Sequence, residues 1–154
     1  HFDCGFNFSS LSLEGGPESV GGHFECNSCD IMSLKGAPKS VGGTFYCRNN
    51  KLTSLEGGPE HVGDSFDCVY NNIVTFEHLP LLIGGKFYCN GNPIWEVWKL
   101  FQDYSKIEFL NDCDAIREPD ENSEDPIIIL DRLNYFLEEI GKKAVKRVEG
   151  YKCI

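Results

Sequence analysis

The most reactive side chains in this sequence are its eight cysteines, which could serve as nucleophiles, metal ligands or disulfides. Five of them are separated by 22, 21, 21 and 21 residues: Cys4, Cys26, Cys47, Cys68 and Cys89. Disulfide frameworks have irregular spacings, whereas equivalent positions of a repeat stack with their side chains pointing the same way. We therefore predict a structural ladder of buried, reduced thiols, which indicates a reducing intracellular compartment and unreactive sulfurs.

Two other groupings could bind a metal. Cys26 and Cys29 form the one Cys-x-x-Cys pair, a spacing found in zinc sites, but both residues also fit repeat positions. Imidazoles and carboxylates fall on one face of adjacent predicted strands, where they could form a weak, adventitious site: His1, Asp3, His23 and Glu25. Because repeat positions explain both groupings, we predict neither a metal nor a cofactor.

The sequence offers no convincing catalytic group. Cys113 lies outside the ladder, between Asp112 and Asp114, and their negative charges disfavour a thiolate. The glycines follow the repeat and do not join a strand to a helix in a phosphate-binding motif. We therefore predict that the protein is not an enzyme.

The spacing of the cysteines belongs to a longer repeat. Aligned on the cysteines, the units begin at His1, His23, Thr44, Ser65 and Lys86, and each has Phe two residues before its cysteine. Three residues after each cysteine stand, in order, Asn7, Cys29, Asn50, Asn71 and Asn92. One equivalent position holds Pro17, Pro38, Pro59 and Pro80. Such self-similarity indicates a stack of equivalent coils.

The pattern Phe-x-Cys-x-x-Asn-x-Leu-x-x-Leu matches the leucine-rich-repeat frame. Phe and Cys alternate with polar residues, so a short strand turns both inward. The Asn side chain is predicted to bond the backbone of the following turn, in its own and the adjacent coil. Gly-Gly pairs are expected to permit positive φ where the chain re-enters the strand. Prolines and the lack of a helical period predict an extended or turn-like convex side.

Two domains follow from the pattern. Residues 1–92 hold about five coils of 21–22 residues, and residues 93–154 lose this period. In the second part, 94–101 and 127–140 have apolar residues at helical spacing, and an acidic, proline-flanked loop spans 118–125. A terminal coil needs cover for its apolar layer. The predicted fold is therefore a leucine-rich-repeat solenoid of parallel β strands with a helical C-terminal cap.

The N-terminal coil departs from the pattern. It holds one extra residue between Cys4 and Pro17, which predicts a bulge. The chain opens at His1, inside a predicted strand, so further repeats could precede it or the sheet edge could be open. An open edge would favour self-association.

The charge distribution argues against nucleic acid as a partner. The net charge is −10; residues 1–92 carry 10 acidic and 5 basic side chains, and residues 93–154 carry 14 and 9. Phosphate binding needs clustered Lys and Arg. The single basic run is typical of a solvated helix face: Lys142, Lys143, Lys146 and Arg147. No apolar run has transmembrane length and no signal peptide is recognisable, so we expect no membrane partner.

The segment Leu-Thr-Ser-Leu-Glu-Gly-Gly-Pro-Glu-His-Val-Gly at 52–63, followed by Phe-x-Cys-x-x-Asn, resembles leucine-rich-repeat proteins encoded by large tailed bacteriophages. Segments 95–101, 106–108 and 129–134 are similar to the ends of those proteins. The resemblance covers nearly the whole chain. It implies a leucine-rich-repeat fold and a location in the cytoplasm of the infected bacterial host, but no biochemical activity.

The repeats are also distantly similar to those of secreted bacterial effectors that join such a solenoid to a ubiquitin-ligase domain. That family uses a Cys-x-Asp nucleophile motif in a large helical domain. Around Cys113 the sequence reads Asp-Cys-Asp-Ala, which lacks the motif, and the C-terminal part is too short for that domain.

The residues beside Phe and Cys in each strand are expected to point outward together on the concave sheet face. Solenoids use such faces for binding, and Tyr and Arg are enriched at interface hot spots. The predicted partner-binding residues are Asp3, His23, Glu25, Tyr46, Arg48, Asp67, Lys86 and Tyr88. We predict a protein–protein interaction module for a host or phage protein. Alternatives are a merely solvated face, and a structural element such as a virion part or spacer.

Overall fold

The computed structural model describes residues 1–3 and 12–154, so Cys4, Asn7 and the bulge expected in the first coil lie outside the described residues. Two parallel sheets of two-residue strands run through the repeats. The first contains β1 (Phe2–Asp3), β3 (Phe24–Glu25), β5 (Phe45–Tyr46), β7 (Phe66–Asp67) and β9 (Phe87–Tyr88). The second contains β2 (Ser19–Val20), β4 (Ser40–Val41), β6 (His61–Val62) and β8 (Leu82–Ile83). The prediction of repeated parallel strands is confirmed. The second sheet, which occupies the predicted extended side, was not foreseen.

Inward-facing Phe and Cys side chains form the core behind the first sheet. Phe24, Phe45 and Phe66 are buried, and successive rings stack with centroids 5.1 and 5.4 Å apart. The described ladder cysteines, Cys26, Cys47, Cys68 and Cys89, are buried, and all are free thiols. Full burial of one Phe side chain contributes about 1.5–3 kcal/mol, so the repeated layer is a principal source of stability.

The expected reason for the Gly-Gly pairs is wrong. Gly42, Gly63 and Gly84 occupy the equivalent position after the second-sheet strand, where Gly42 and Gly84 begin Gly-Gly pairs and Gly63 precedes Asp64, and none of them has positive φ. A Cβ atom at these positions would lie 2.3, 2.2 and 2.1 Å from the carbonyl oxygen of the equivalent glycine one coil earlier. Glycine is therefore required by the close approach of successive coils. Positive φ occurs instead at the turn glycines Gly15, Gly36 and Gly57.

The chain divides into two compact units. The first comprises His1–Ile73 and Glu77–Asn92, and the second comprises Val74–Phe76 and Pro93–Ile154. Three helices, α1 (Trp95–Phe101), α2 (Ile107–Asp112) and α3 (Leu130–Glu139), belong to the second unit. This unit also holds a three-stranded sheet of β10 (Ile116–Arg117), β11 (Ile127–Ile128) and β12 (Lys152–Cys153). The expectation of a purely helical segment is therefore wrong. The capping role of residues 93–154 stays a prediction.

The helix predicted over 127–140 begins at Leu130 instead. Ile127 and Ile128 form the central strand of the small sheet, antiparallel to β10 and parallel to β12. Their burial in that sheet takes precedence over the helical spacing of the sequence. The acidic loop at 118–125 is exposed over most of its length and is closed by a backbone pair between Asp120 and Ser123.

An aromatic cluster forms the core of the C-terminal unit. Phe76 contacts Trp98 and Phe101, and Phe101 contacts Phe136 edge to face with centroids 5.3 Å apart. The amide of Asn111 donates to the Phe76 carbonyl, at 3.2 Å. These contacts explain why the short segment at 74–76 groups with this unit. Among the described residues, no helix is long and apolar enough to cross a membrane.

Candidate interaction surface

The register of the first sheet brings the predicted binding residues together. Asp3, Glu25, Tyr46, Asp67 and Tyr88 are successive Cα partners across β1, β3, β5, β7 and β9. Neighbouring strands lie about 4.8 Å apart, so these side chains form one continuous row. His23, Lys86 and Arg48 stand two residues from a member of the row, which places them on the same side of the sheet. We call these eight residues the first-sheet face.

Asp67 departs from the expectation of an exposed carboxylate. Asp67 is only 4% exposed, because Nη2 of Arg48 lies 2.6 Å from Oδ2 of Asp67 and the Val69 N–H donates to Oδ1 of Asp67 at 3.2 Å. The Arg48 side chain, in contrast, is 45% exposed. Asp67 therefore holds the guanidinium in position, and Arg48 is the member of the pair that a partner could touch.

Three side chains of the first-sheet face keep polar atoms without intramolecular partners among the described residues. The Tyr46 and Tyr88 hydroxyls have no hydrogen bond there, and the Lys86 ammonium has no ion pair. Tyr88 is 39% exposed and Tyr46 is half-buried, with its ring 6.0 Å from that of His23. These groups combine apolar area with unused hydrogen-bonding capacity, as interface hot spots do.

His23 acts as a backbone acceptor. The Thr44 N–H donates to its Nδ1 at 2.9 Å, so Nδ1 carries no proton and the neutral ring has its hydrogen on Nε2. Metal binding through Nε2 would have to displace this hydrogen. His23 is therefore held by its hydrogen bond to the neighbouring coil, and it is not part of the His1, Asp3 and Glu25 group at the sheet edge.

His1, Asp3 and Glu25 are brought together at the edge of the first sheet. One ligand atom from each lies within 4.8 Å of the others, and this is the one such group of three found among the described residues. An imidazole with two carboxylates is a donor set for a divalent transition metal. The side chains are exposed or half-buried, and exposed acidic groups often gather without a metal, so we assign no ion to them.

The ladder thiols are held in their neutral form. Burial, with a smaller contribution from Asp67, raises the pKa of Cys47 far above its usual range, and burial raises that of Cys89 to about 12. The Cys26 and Cys29 thiols both donate to backbone carbonyls, a role that a zinc-bound thiolate cannot fill. Burial and then Asp112 raise the pKa of Cys113, which disfavours its thiolate form.

Asparagines join successive coils behind the strands. The Asn71 Nδ2 donates to the Cys68 carbonyl of its own coil at 3.0 Å and to the Cys47 carbonyl of the preceding coil at 2.9 Å, and its Oδ1 accepts from the Leu52 N–H at 3.0 Å. Asn50 and Asn92 repeat this arrangement. The asparagines thus replace hydrogen bonds where the strands have ended.

One feature of the C-terminal unit was missed by the sequence reasoning. A pocket forms between α2 and α3, with Phe109 and Tyr135 among its walls. The sequence placed a helix over most of α3 but none at 107–112, so it could not show that the two elements meet. No residue spacing in the sequence indicated this pocket.

Comparison with protein-family models, with curated proteins and with solved structures gave no match for this chain. Function is accordingly inferred from the geometry of the first-sheet face and of the C-terminal pocket.

Proposed function

We propose that this chain is a protein–protein interaction module of the leucine-rich-repeat type, which binds a partner through the first-sheet face. The observation that carries the proposal is the in-register row in which Tyr46 and Tyr88 flank the Arg48–Asp67 pair. Tyrosine side chains have few rotatable bonds, and Asp67 already holds the Arg48 guanidinium, so ordering these side chains on binding costs little conformational entropy. Tyrosine and arginine are also residue types that dominate binding energy at interfaces.

Charge on the first-sheet face indicates the chemistry of the partner. Asp3 and Glu25 make the β1–β3 end acidic, Arg48 and Asp67 neutralise each other, and Lys86 makes the β9 end basic. A complementary partner places basic groups opposite the acidic end, and its apolar or carbonyl groups contact the tyrosines. The bacteriophage resemblance supports a host or phage protein in the cytoplasm of the infected bacterium.

Site-specific cross-linking tests the proposal. A photoreactive phenylalanine at Tyr46 or Tyr88 should cross-link one protein from a lysate of the bacterial host, whereas the same group at His61, exposed on the second sheet, should not. With the purified partner, the combined change Tyr46→Ala and Tyr88→Ala should weaken binding at least about 30-fold, equivalent to about 2 kcal/mol. Leu82→Ala on the second sheet is the matched control, with no effect expected.

Arg48 needs a conservative substitution, because its removal leaves the buried Asp67 carboxylate without a cation. Arg48→Lys keeps the charge but loses the planar fork, so it should reduce affinity with little loss of stability. Equal cross-linking from both sheets, or tyrosine variants that bind as well as the wild type, would contradict a binding role for this face.

A second candidate is an assembly element that associates through β1. The Phe2 ring continues the stack on Phe24 at 5.3 Å, yet Phe2 is 38% exposed, and among the described residues β1 pairs only with β3. Self-association through this edge predicts a mass that rises with protein concentration in analytical ultracentrifugation, and Phe2→Glu should abolish the rise. A constant monomer mass would exclude this candidate.

A further inference from the structure

The C-terminal unit contains a pocket that is independent of the first-sheet face. It has a volume of about 410 Å³ and is lined by Phe109, Asp112, Cys113, Asp131, Arg132 and Tyr135. Small-molecule and side-chain pockets are usually about 300–1,000 Å³, so this one suits a single amino-acid side chain or an ion of similar size.

The pocket walls are aromatic and held in place. Phe109 meets Tyr135 edge to face with ring centroids 6.3 Å apart, and it also packs on Phe136, which is buried in the unit core. Tyr135 is 55% exposed, so a ligand can reach its ring. The neutral Cys113 thiol adds a weakly polar surface to the lining. Aromatic faces attract cations, especially where the ligand is partly desolvated.

Two unpaired carboxylates are among the lining groups. Neither Asp112 nor Asp131 has a hydrogen bond or ion pair to its carboxylate in the part of the chain that the structure describes. Asp112 is the last residue of α2, where the exposed carbonyl groups of the helix disfavour a negative charge. This position weakens the helix end, and no intramolecular contact of the carboxylate offsets the cost.

The one cation of the pocket is already neutralised. Arg132 binds both the carbonyl and the carboxylate of Asp114, and Arg117 binds the same carboxylate. Arg132 therefore adds its stem to the wall while its charge is directed to Asp114. The net charge of −10 for the whole chain further attracts positive ligands.

We propose that this pocket binds an alkyl-guanidinium or alkyl-ammonium group, as carried by an arginine or lysine side chain. The charged head lies between Asp112 and Asp131, and the methylene stem packs on Phe109 and Tyr135. Carboxylates bind such heads through charge-assisted hydrogen bonds, and the aromatic rings favour the stem and the adjacent cation.

NMR titration of the full ¹⁵N-labelled chain with N-acetyl-argininamide tests the proposal. The expected result is saturable shifts at Asp112, Cys113, Asp131 and Tyr135, with binding in the millimolar range, on the order of 4 kcal/mol. The citrulline analogue, which has the same shape without the charge, should bind at least tenfold more weakly than N-acetyl-argininamide. Propylguanidine carries the same single charge and a similar stem without peptide groups, so the tighter of the two cations shows whether a peptide or a free cation is preferred.

Isosteric variants provide the second arm. Asp112→Asn combined with Asp131→Asn should weaken binding at least tenfold, and the matched change Glu138→Gln, elsewhere on α3, should leave it unchanged. Intermolecular contacts in NMR spectra of the wild type, between the ligand methylenes and the Tyr135 ring, do not depend on any variant folding. Equal binding of the citrulline analogue, or shifts centred on the acidic loop at 118–125, would overturn the proposal.

Discussion

The asparagine ladder makes a sharp prediction at Asn71. Its side chain is 5% exposed and forms three hydrogen bonds with the backbone of two coils. Asn71→Ala removes all three and leaves buried backbone groups without partners. At about 1 kcal/mol for each bond, the free energy of unfolding should fall by roughly 3 kcal/mol, and by more where water cannot replace the amide.

The adjacent Asn72 is the matched control, because it is exposed and its side chain has no hydrogen bond among the described residues. Asn72→Ala should change the free energy of unfolding by less than about 0.5 kcal/mol. In a chain of this size, 3 kcal/mol corresponds to a fall in Tm of roughly 6–12 °C. Urea denaturation followed by circular dichroism, with both variants measured beside the wild type, gives the difference directly.

Two further substitutions separate the donor from the acceptor role. Asn71→Asp places a carboxylate oxygen against the Cys47 and Cys68 carbonyls and should cost more than Asn71→Ala. Asn71→Cys should lower the free energy of unfolding less than Asn71→Ala does. Cys29 occupies the equivalent position two coils earlier, and its thiol donates to a backbone carbonyl at 3.2 Å. Equal stability of Asn71→Ala and Asn72→Ala would refute the reasoning that the amide joins the coils.

Other predictions concern the ion pair and the thiols. Arg48→Met should lower the free energy of unfolding by about 1–3 kcal/mol because it strands a buried carboxylate, and Asp67→Asn in the same chain should recover most of it; additive losses in urea denaturation would contradict the coupling. Iodoacetamide at pH 8 followed by peptide mapping should leave Cys89 unlabelled and label Cys113 slowly, whereas Asp112→Asn should lower the pKa of Cys113 and accelerate its labelling. The contribution of the Cys89 thiol to stability should be full below pH 9, because its pKa is near 9.0 when unfolded and about 12 when folded. Between these pH values this contribution should fall by about 1.4 kcal/mol per pH unit. Cys89→Ala should therefore flatten the decline in the free energy of unfolding between denaturation curves measured at pH 8 and 10.

The repeat could be predicted because the same residue types recur at a fixed spacing and so define the register of the coils. The period of 21 residues aligns every Phe with the next Phe, and the alternation of Phe and Cys with polar residues specifies which side faces inward. The position of Asn after the strand likewise indicated a buried amide, because backbone groups there have no sheet partner. The same periodicity predicted which residues share the first-sheet face.

Features that depend on contacts between residues distant along the chain were not predictable in this way. A glycine that recurs at one repeat position is compatible with positive φ or with close packing, and only the distances of 2.1–2.3 Å from a Cβ atom at Gly42, Gly63 or Gly84 to the preceding coil show that close packing is the reason. The sequence pattern predicts an exposed carboxylate at Asp67, but in the structure Arg48 of the neighbouring coil contacts this carboxylate and Asp67 is buried. Ile127 and Ile128 fit a helix or a strand equally well by sequence, and the partners 116–117 and 152–153 are distant along the chain.

The asparagine bonds have a consequence for how such a chain can evolve. Each one joins a residue to its own coil or to the preceding coil, and equivalent atoms recur 21 residues apart. In-frame duplication or loss of 21 codons within the regular coils would therefore replace every junction with one of the same kind. Recombination could lengthen or shorten the array by one strand of the first sheet at a time, and the number and identity of the outward side chains would change while the interior stayed the same.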